Sequence, residues 1–112
     1  MKFDYSGQDY QRVDSFKGGE GYLDAMMYND SENRIVYGRL DPGCTIGKHK
    51  HEGTSEIVFV TAGALQVMCD DKEEIVSAGG CHYCPNGHSH EIFNASDSVP
   101  AEMFCVVPVH PA

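Results

Sequence analysis

Helix-period patterns are absent from this chain; short runs of apolar, β-branched and aromatic residues stand between clusters of turn-forming residues. The pattern predicts strands over 21–29 and 34–40, joined by a hairpin through the polar cluster Asp30-Ser31-Glu32-Asn33. Two more, over 56–61 and 64–69, reverse at Ala62-Gly63, where glycine permits a tight turn. Asp70-Asp71-Lys72 leads into a strand over 73–77, and a short strand sits between Gly79-Gly80 and Pro85-Asn86-Gly87. Strands over 88–94 and 101–107 complete the set, separated by a loop. Regular short strands with frequent turns imply an all-β sandwich or barrel.

Side-chain parity adds to this picture. Alternate residues of a strand share a face, so Glu56, Val58 and Val60 point one way and Ile57 and Phe59 the other. With Glu56 inward, Val58, Val60, Leu65 and Val67 are expected to line an apolar cavity, and two large apolar side chains face out. The segments 23–28 and 101–107 are also apolar on both faces. Exposed apolar area of this kind calls for cover. A homodimer packing sheet against sheet is the expected answer, with the first twenty residues wrapping the same face as the alternative.

At 112 residues the chain is long enough for one domain and one core, with residues 1–20 read as an N-terminal extension. Seventeen acidic against eight basic residues, a formal charge of −9, argue against a nucleic-acid partner, which would need clustered Lys and Arg. No apolar run approaches the roughly 20 residues that cross a bilayer, so no membrane partner is expected. The first ten residues, MKFDYSGQDY, lack the apolar stretch of a signal peptide, which points to the cytoplasm. Five cysteines without a framework read as reduced thiols there. The pair Cys81 and Cys84 has C-x-x-C spacing, but in a strand these positions face opposite ways and cannot chelate one ion.

The candidate chemistry concentrates in two short segments. His49 and His51 stand one residue apart on a strand and therefore share a face, and Glu56 opens the next apolar run after a turn. His90 lies in the segment GGCHYCPNGHSHEIFN. Three imidazoles and a carboxylate form a nitrogen/oxygen donor set suited to a divalent transition metal: manganese, iron, nickel, cobalt, zinc or copper.

The spacing of these residues resembles the cupin superfamily. Gly43, His49, His51, Glu56 and Gly63 fit its first motif, over 43–63, and Gly79, Pro85, Gly87, His90 and Asn94 fit its second, over 79–94. The resemblance implies a single domain over 1–112, an antiparallel double-stranded β-helix or jelly-roll barrel, with His49, His51, Glu56 and His90 as metal ligands. Cupin-like barrels also commonly pair as dimers. The chain departs from the family's pattern at His82 and His88, where small apolar or aliphatic residues are usual, and at Gly80, where the family often has Asp.

Four protein ligands on a six-coordinate metal leave two positions for a small molecule. The resulting expectation is a metal-dependent enzyme acting on a small organic molecule, of dioxygenase, isomerase, lyase or cyclase type. A non-catalytic module that binds a small molecule or metal is the alternative. His88, His82 and Tyr83 are the candidate acid–base groups. Val58, Val60, Val67 and Arg39 are the candidate substrate contacts, Arg39 as a bidentate partner for a carboxylate. Thr45 and Asn94 are candidate partners for the ligand histidines.

Overall fold

The computed structural model describes residues 1–111 and is built almost wholly of antiparallel strands. They are β1 (Gln11–Asp14), β2 (Tyr22–Asn29), β3 (Asn33–Leu40), β4 (Thr45–Lys50), β5 (Glu56–Ala62), β6 (Ala64–Cys69), β7 (Lys72–Ser77), β8 (Cys81–Cys84), β9 (Ser89–Asn94) and β10 (Ala101–Pro108), with one 3-10 turn at Phe16–Gly18. A six-stranded sheet in the order β1-β2-β3-β10-β5-β8 faces a four-stranded sheet in the order β4-β9-β6-β7. This is the jelly-roll arrangement, and the strands the sequence pattern predicts end within a residue or two of those observed; β1 is an addition, formed within the first twenty residues, which were read as an extension, and paired antiparallel with β2. Among the described residues no helix is long and apolar enough to cross a membrane.

The turns follow from side-chain chemistry. Asp30 Oδ1 accepts from the backbone N–H groups of Glu32 and Asn33, both at 2.8 Å, which closes the β2–β3 hairpin. Gly63 joins β5 to β6 at a φ of 69°, and a Cβ there would lie 2.6 Å from the Pro100 carbonyl oxygen, so only glycine fits.

The core lies between the sheets. Leu40, Val58, Val60, Leu65, Val67 and Ala101 are completely buried. Cross-strand register sets the faces: Val60 opposes Met103 and Val58 opposes Cys105 on the inner side, while Phe59 opposes Phe104 and Ile57 opposes Val106 on the outer side. Each buried aliphatic side chain stabilises the fold by roughly 1.5–3 kcal/mol relative to exposure.

The outer face of the larger sheet is half covered. Phe3 packs against Tyr28 with ring centroids 5.2 Å apart, Tyr5 stacks on Tyr37 at 5.0 Å, and the Tyr10 hydroxyl donates to Glu102 at 3.1 Å. The N-terminal residues thus wrap β2, β3 and β10. Farther across the sheet, Ile57, Phe59 and Tyr83 remain exposed, at 41%, 42% and 55%.

Candidate metal centre

Strands β4, β5 and β9 bring the four candidate ligands together. His49 on β4 lies directly opposite His90 on β9. His51 is the first residue beyond β4, fixed by its own backbone: its N–H donates to the His88 carbonyl at 2.9 Å, and its carbonyl accepts from Gly87 at 2.6 Å. Asn86 Oδ1 accepts from Gly53 N–H at 2.9 Å. The turn around Pro85 and Gly87 therefore clamps the loop that carries His51 and delivers Glu56 at the start of β5.

One donor atom from each of His49, His51, Glu56 and His90 lies within 4.8 Å of the others. His90 Nε2 is 3.0 Å from His49 Nε2, 3.1 Å from His51 Nε2 and 2.9 Å from Glu56 Oε1. On the opposite side of each ring, every Nδ1 has a partner: Gly47 O for His49 at 2.7 Å, Thr54 Oγ1 for His51 at 2.9 Å, and His82 Nε2 for His90 at 3.0 Å. A carbonyl only accepts, so His49 Nδ1 carries a proton, and Nε2 is the ring nitrogen turned inward. Three imidazole nitrogens and a carboxylate oxygen converging at such distances suit a shared cation, and the donor set fits a divalent transition metal.

Protonation favours the same conclusion. Burial alone would raise the Glu56 carboxyl, but the imidazoles of His49, His51 and His90 gathered around it outweigh that and hold the group well below the usual carboxylate range. Burial lowers the His90 imidazole from its ordinary value, against the opposing pull of Glu56, which favours the neutral ring. Burial, with the Glu56 charge nearby, pushes the Cys105 thiol well above its ordinary range, so it stays protonated.

His49, His51 and Glu56 open onto a cavity of about 490 Å³. Its apolar wall comes from Leu23 and Met27 of β2, Val36 of β3, Ile46 of β4, and Met103 and Val107 of β10. Lys17, Arg34 and Lys50 bring positive charge to the lining and Asp30 and Glu52 negative charge, with Lys50 Nζ paired to Glu52 at 3.4 Å. Val58, Val60 and Val67, the expected wall, do point inward but are completely buried in the hydrophobic core, and none reaches the cavity. The cavity opens instead between β4 and the β2-β3-β10 side. The inward parity of Leu23, Met27 and Val36 was the available signal for that wall.

Other candidates also take different places. Arg39 lies on the outer face, where its register partners are Asp24 and Glu102, and its Nε donates to Asp41 at 3.2 Å. Tyr83 is outside as well, opposite Ile57. His88 sits half exposed in a turn, hydrogen-bonded to Asp70 at 2.6 Å. His82 alone touches the centre, from behind His90 rather than from the cavity. Thr45 accepts from the Glu20 N–H, and Asn94 donates to the carbonyls of Leu40 and Val99, so neither supports a ligand ring. All five cysteines are free thiols; on β8, Cys81 is exposed and Cys84 buried, facing opposite ways.

Comparison with known proteins agrees with this geometry. Residues 36–107 match the family model described as the cupin domain. An oxalate-binding protein of Thermotoga maritima is 27% identical over 95 residues, covering 79% of this chain and 78% of the relative. A solved structure from the same organism, described as a predicted oxalate decarboxylase, matches with a TM-score of 0.89 at 25% identity, over 97% of this chain and 99% of that one. A sugar phosphate isomerase from a cupin superfamily, from Silicibacter pomeroyi, matches with a TM-score of 0.75 at 25% identity, over 99% and 77%.

Proposed function

This chain belongs to the cupin domain family, and on that footing we propose that His49, His51, Glu56 and His90 bind one divalent transition metal and present it to a small chelating organic acid. The observation that carries the reading is the convergence of three imidazole Nε2 atoms and Glu56 Oε1, with every Nδ1 already engaged elsewhere. Bound metal would act as a Lewis acid toward adjacent ligand oxygens. The protein's own part is to fix the donors, exclude water with the wall of Leu23, Val36, Ile46 and Met103, and offer Lys17 and Arg34 as contacts for an anion.

The ligand class is a dicarboxylate or 2-oxo acid, whose two oxygens suit the two positions that four protein ligands leave on a six-coordinate metal. The oxalate-binding relative from Thermotoga maritima supports that class. A cavity of about 490 Å³ also leaves room for an apolar body attached to the chelating head.

Binding is the part the site geometry supports best, because Tyr83 and His88 lie outside the cavity and His82 lies behind a ligand. The solved relative described as a predicted oxalate decarboxylase favours catalysis as a second reading. Titration of manganese-loaded protein with oxalate and with longer 2-oxo acids, followed by calorimetry, tests the proposal. Saturable binding that disappears in the metal-stripped protein is expected, and binding indifferent to metal would refute it. Release of carbon dioxide or formate from oxalate in the same samples would establish the catalytic reading.

A further inference from the structure

We infer that His82 and Glu74 form a supporting arm that holds His90 in its metal-binding tautomer. His82 is 2% exposed on the inner face of β8, with Nε2 3.0 Å from His90 Nδ1 and Nδ1 hydrogen-bonded to Glu74. Glu74 stands on β7 with half of its side chain in solvent. The donor order follows from the chain's end. A carboxylate only accepts, so His82 Nδ1 donates to Glu74. With that proton on Nδ1, His82 offers Nε2 as the acceptor for His90 Nδ1–H. His90 is left with an Nε2 lone pair aimed at Glu56, His49 and His51. Glu74 thereby dictates the orientation of a proton two residues away in the hydrogen-bonded series.

This support differs from that of the other two ligands. His49 rests on a backbone carbonyl and His51 on a threonine hydroxyl, both neutral, whereas His90 is tied through an imidazole to an anionic group. Such an arm raises the donor strength of the ring it holds. Its placement is also unlike packing. An apolar side chain would fill the His82 position without the desolvation penalty of a buried ring, and the polar atoms are tolerated only because both find partners. The two residues come from β7 and β8, edge strands of opposite sheets, so the arm spans the gap between the sheets. A purely mechanical strut would serve that span as well, and the test must separate the two roles.

The inference rests on the proposed metal site. The experiment compares wild-type protein with Glu74→Gln and His82→Leu, reading cobalt(II) affinity by chelator competition and the melting temperature of each metal-free protein. Zinc-loaded samples, isotopically labelled, report the His90 Nδ1–H by its imidazole nitrogen correlations. His82→Leu is expected to weaken cobalt binding by about 10–100-fold and Glu74→Gln by a smaller factor, with altered His90 ring signals and unchanged His49 signals. Affinity within about twofold of wild type in Glu74→Gln, with His90 signals unmoved, overturns the arm. That variant remains decisive if His82→Leu does not fold, because its side chain is half in solvent. A strut alone lowers the melting temperatures and leaves affinity intact, which also overturns it. Wild-type protein that binds no cobalt sinks the metal site and the arm together, whereas normal binding with insensitive variants sinks the arm alone.

Discussion

Ile46 and His49 stand three positions apart on β4, yet both face the cavity. A regular strand would send them to opposite faces. The register with β9 shifts between them: Ile46 pairs with Ile92 and His49 with His90, so one strand spends an extra residue over the same stretch. Gly47 sits in that bulge, where its carbonyl accepts from His49 Nδ1 and its Cα lies against the turn at Lys17–Gly19. A Cβ at Gly47 would overlap the Lys17 carbonyl oxygen, which belongs to backbone and cannot swing away. Gly47→Ala is therefore expected to destabilise the fold by about 1–3 kcal/mol. It should also weaken metal binding more than an equally destabilising change in the distant core, such as Val60→Ala. Denaturant unfolding paired with cobalt titration checks both; equal metal affinity in the two variants would show that the bulge does not position His49.

His51→Ala removes one of three imidazoles, and no neighbouring side chain can replace it. Metal affinity is expected to fall roughly a hundredfold or more, beyond the losses typical of supporting residues. His88→Ala is the matched control, since His88 is bound to Asp70 in a half-exposed turn. It should retain about one metal per chain by elemental analysis. Full occupancy in His51→Ala would remove His51 from the ligand set.

The fold was legible because parity and turn chemistry agree almost everywhere: Asp30 closes the hairpin its sequence suggests, and Val58 and Val60 point inward as Glu56 requires. The four candidate ligands were legible for the same reason, their spacing being tied to short strands and turns. The cavity wall was not. Val58, Val60 and Val67 share the inward face with Glu56, and sequence parity says nothing about how far along a strand the sheets separate. The supports of the ligand rings were equally hidden. Gly47 acts through a carbonyl that every residue possesses, and Thr54 through a loop. His82 stood out as a polar residue at an apolar position, but its partner Glu74 comes from the opposite sheet, a long-range pairing no local pattern reveals.

Arg39 and Asp41 report on the outer surface rather than the site. The Tyr22 hydroxyl donates to Asp41 at 2.7 Å, and this bond, with smaller help from Arg39, holds the carboxyl below its ordinary 3.8 despite some burial. A native value lowered in this way means the unfolded chain takes up the proton first. The stabilisation is complete above about pH 3.8 and is lost as pH falls through the lowered native value. Tyr22→Phe should move the Asp41 titration, followed by carboxyl NMR, upward toward 3.8. The stability difference from wild type should be present near neutrality and shrink in acid. Arg39→Ala should leave oxalate affinity unchanged, because its side chain is outside; a selective loss of acid binding would return it to the site.

The outer face supplies the last prediction. Ile57 and Phe59 on β5 and Tyr83 on β8 form an exposed apolar patch that continues inward from Val106 and Phe104 across paired strands. Phe3, Tyr5 and Tyr10 cover the β2-β3-β10 side and stop short of this patch. A second copy laid sheet to sheet is the occupant expected, since a two-fold axis would set the exposed apolar side chains of one copy against the same side chains of the other. A stable pair of that kind buries on the order of 1,600 Å² in total, more than three side chains supply, so neighbouring residues of β10 and the N-terminal segment must take part. Light scattering at micromolar concentration should give twice the mass of one chain. Phe59→Lys, which places a charge at the patch centre without touching the inner core, should shift the protein to single chains while metal binding persists. A wild-type mass of one chain would mean that the N-terminal wrap is cover enough and that the remaining apolar patch is left to solvent.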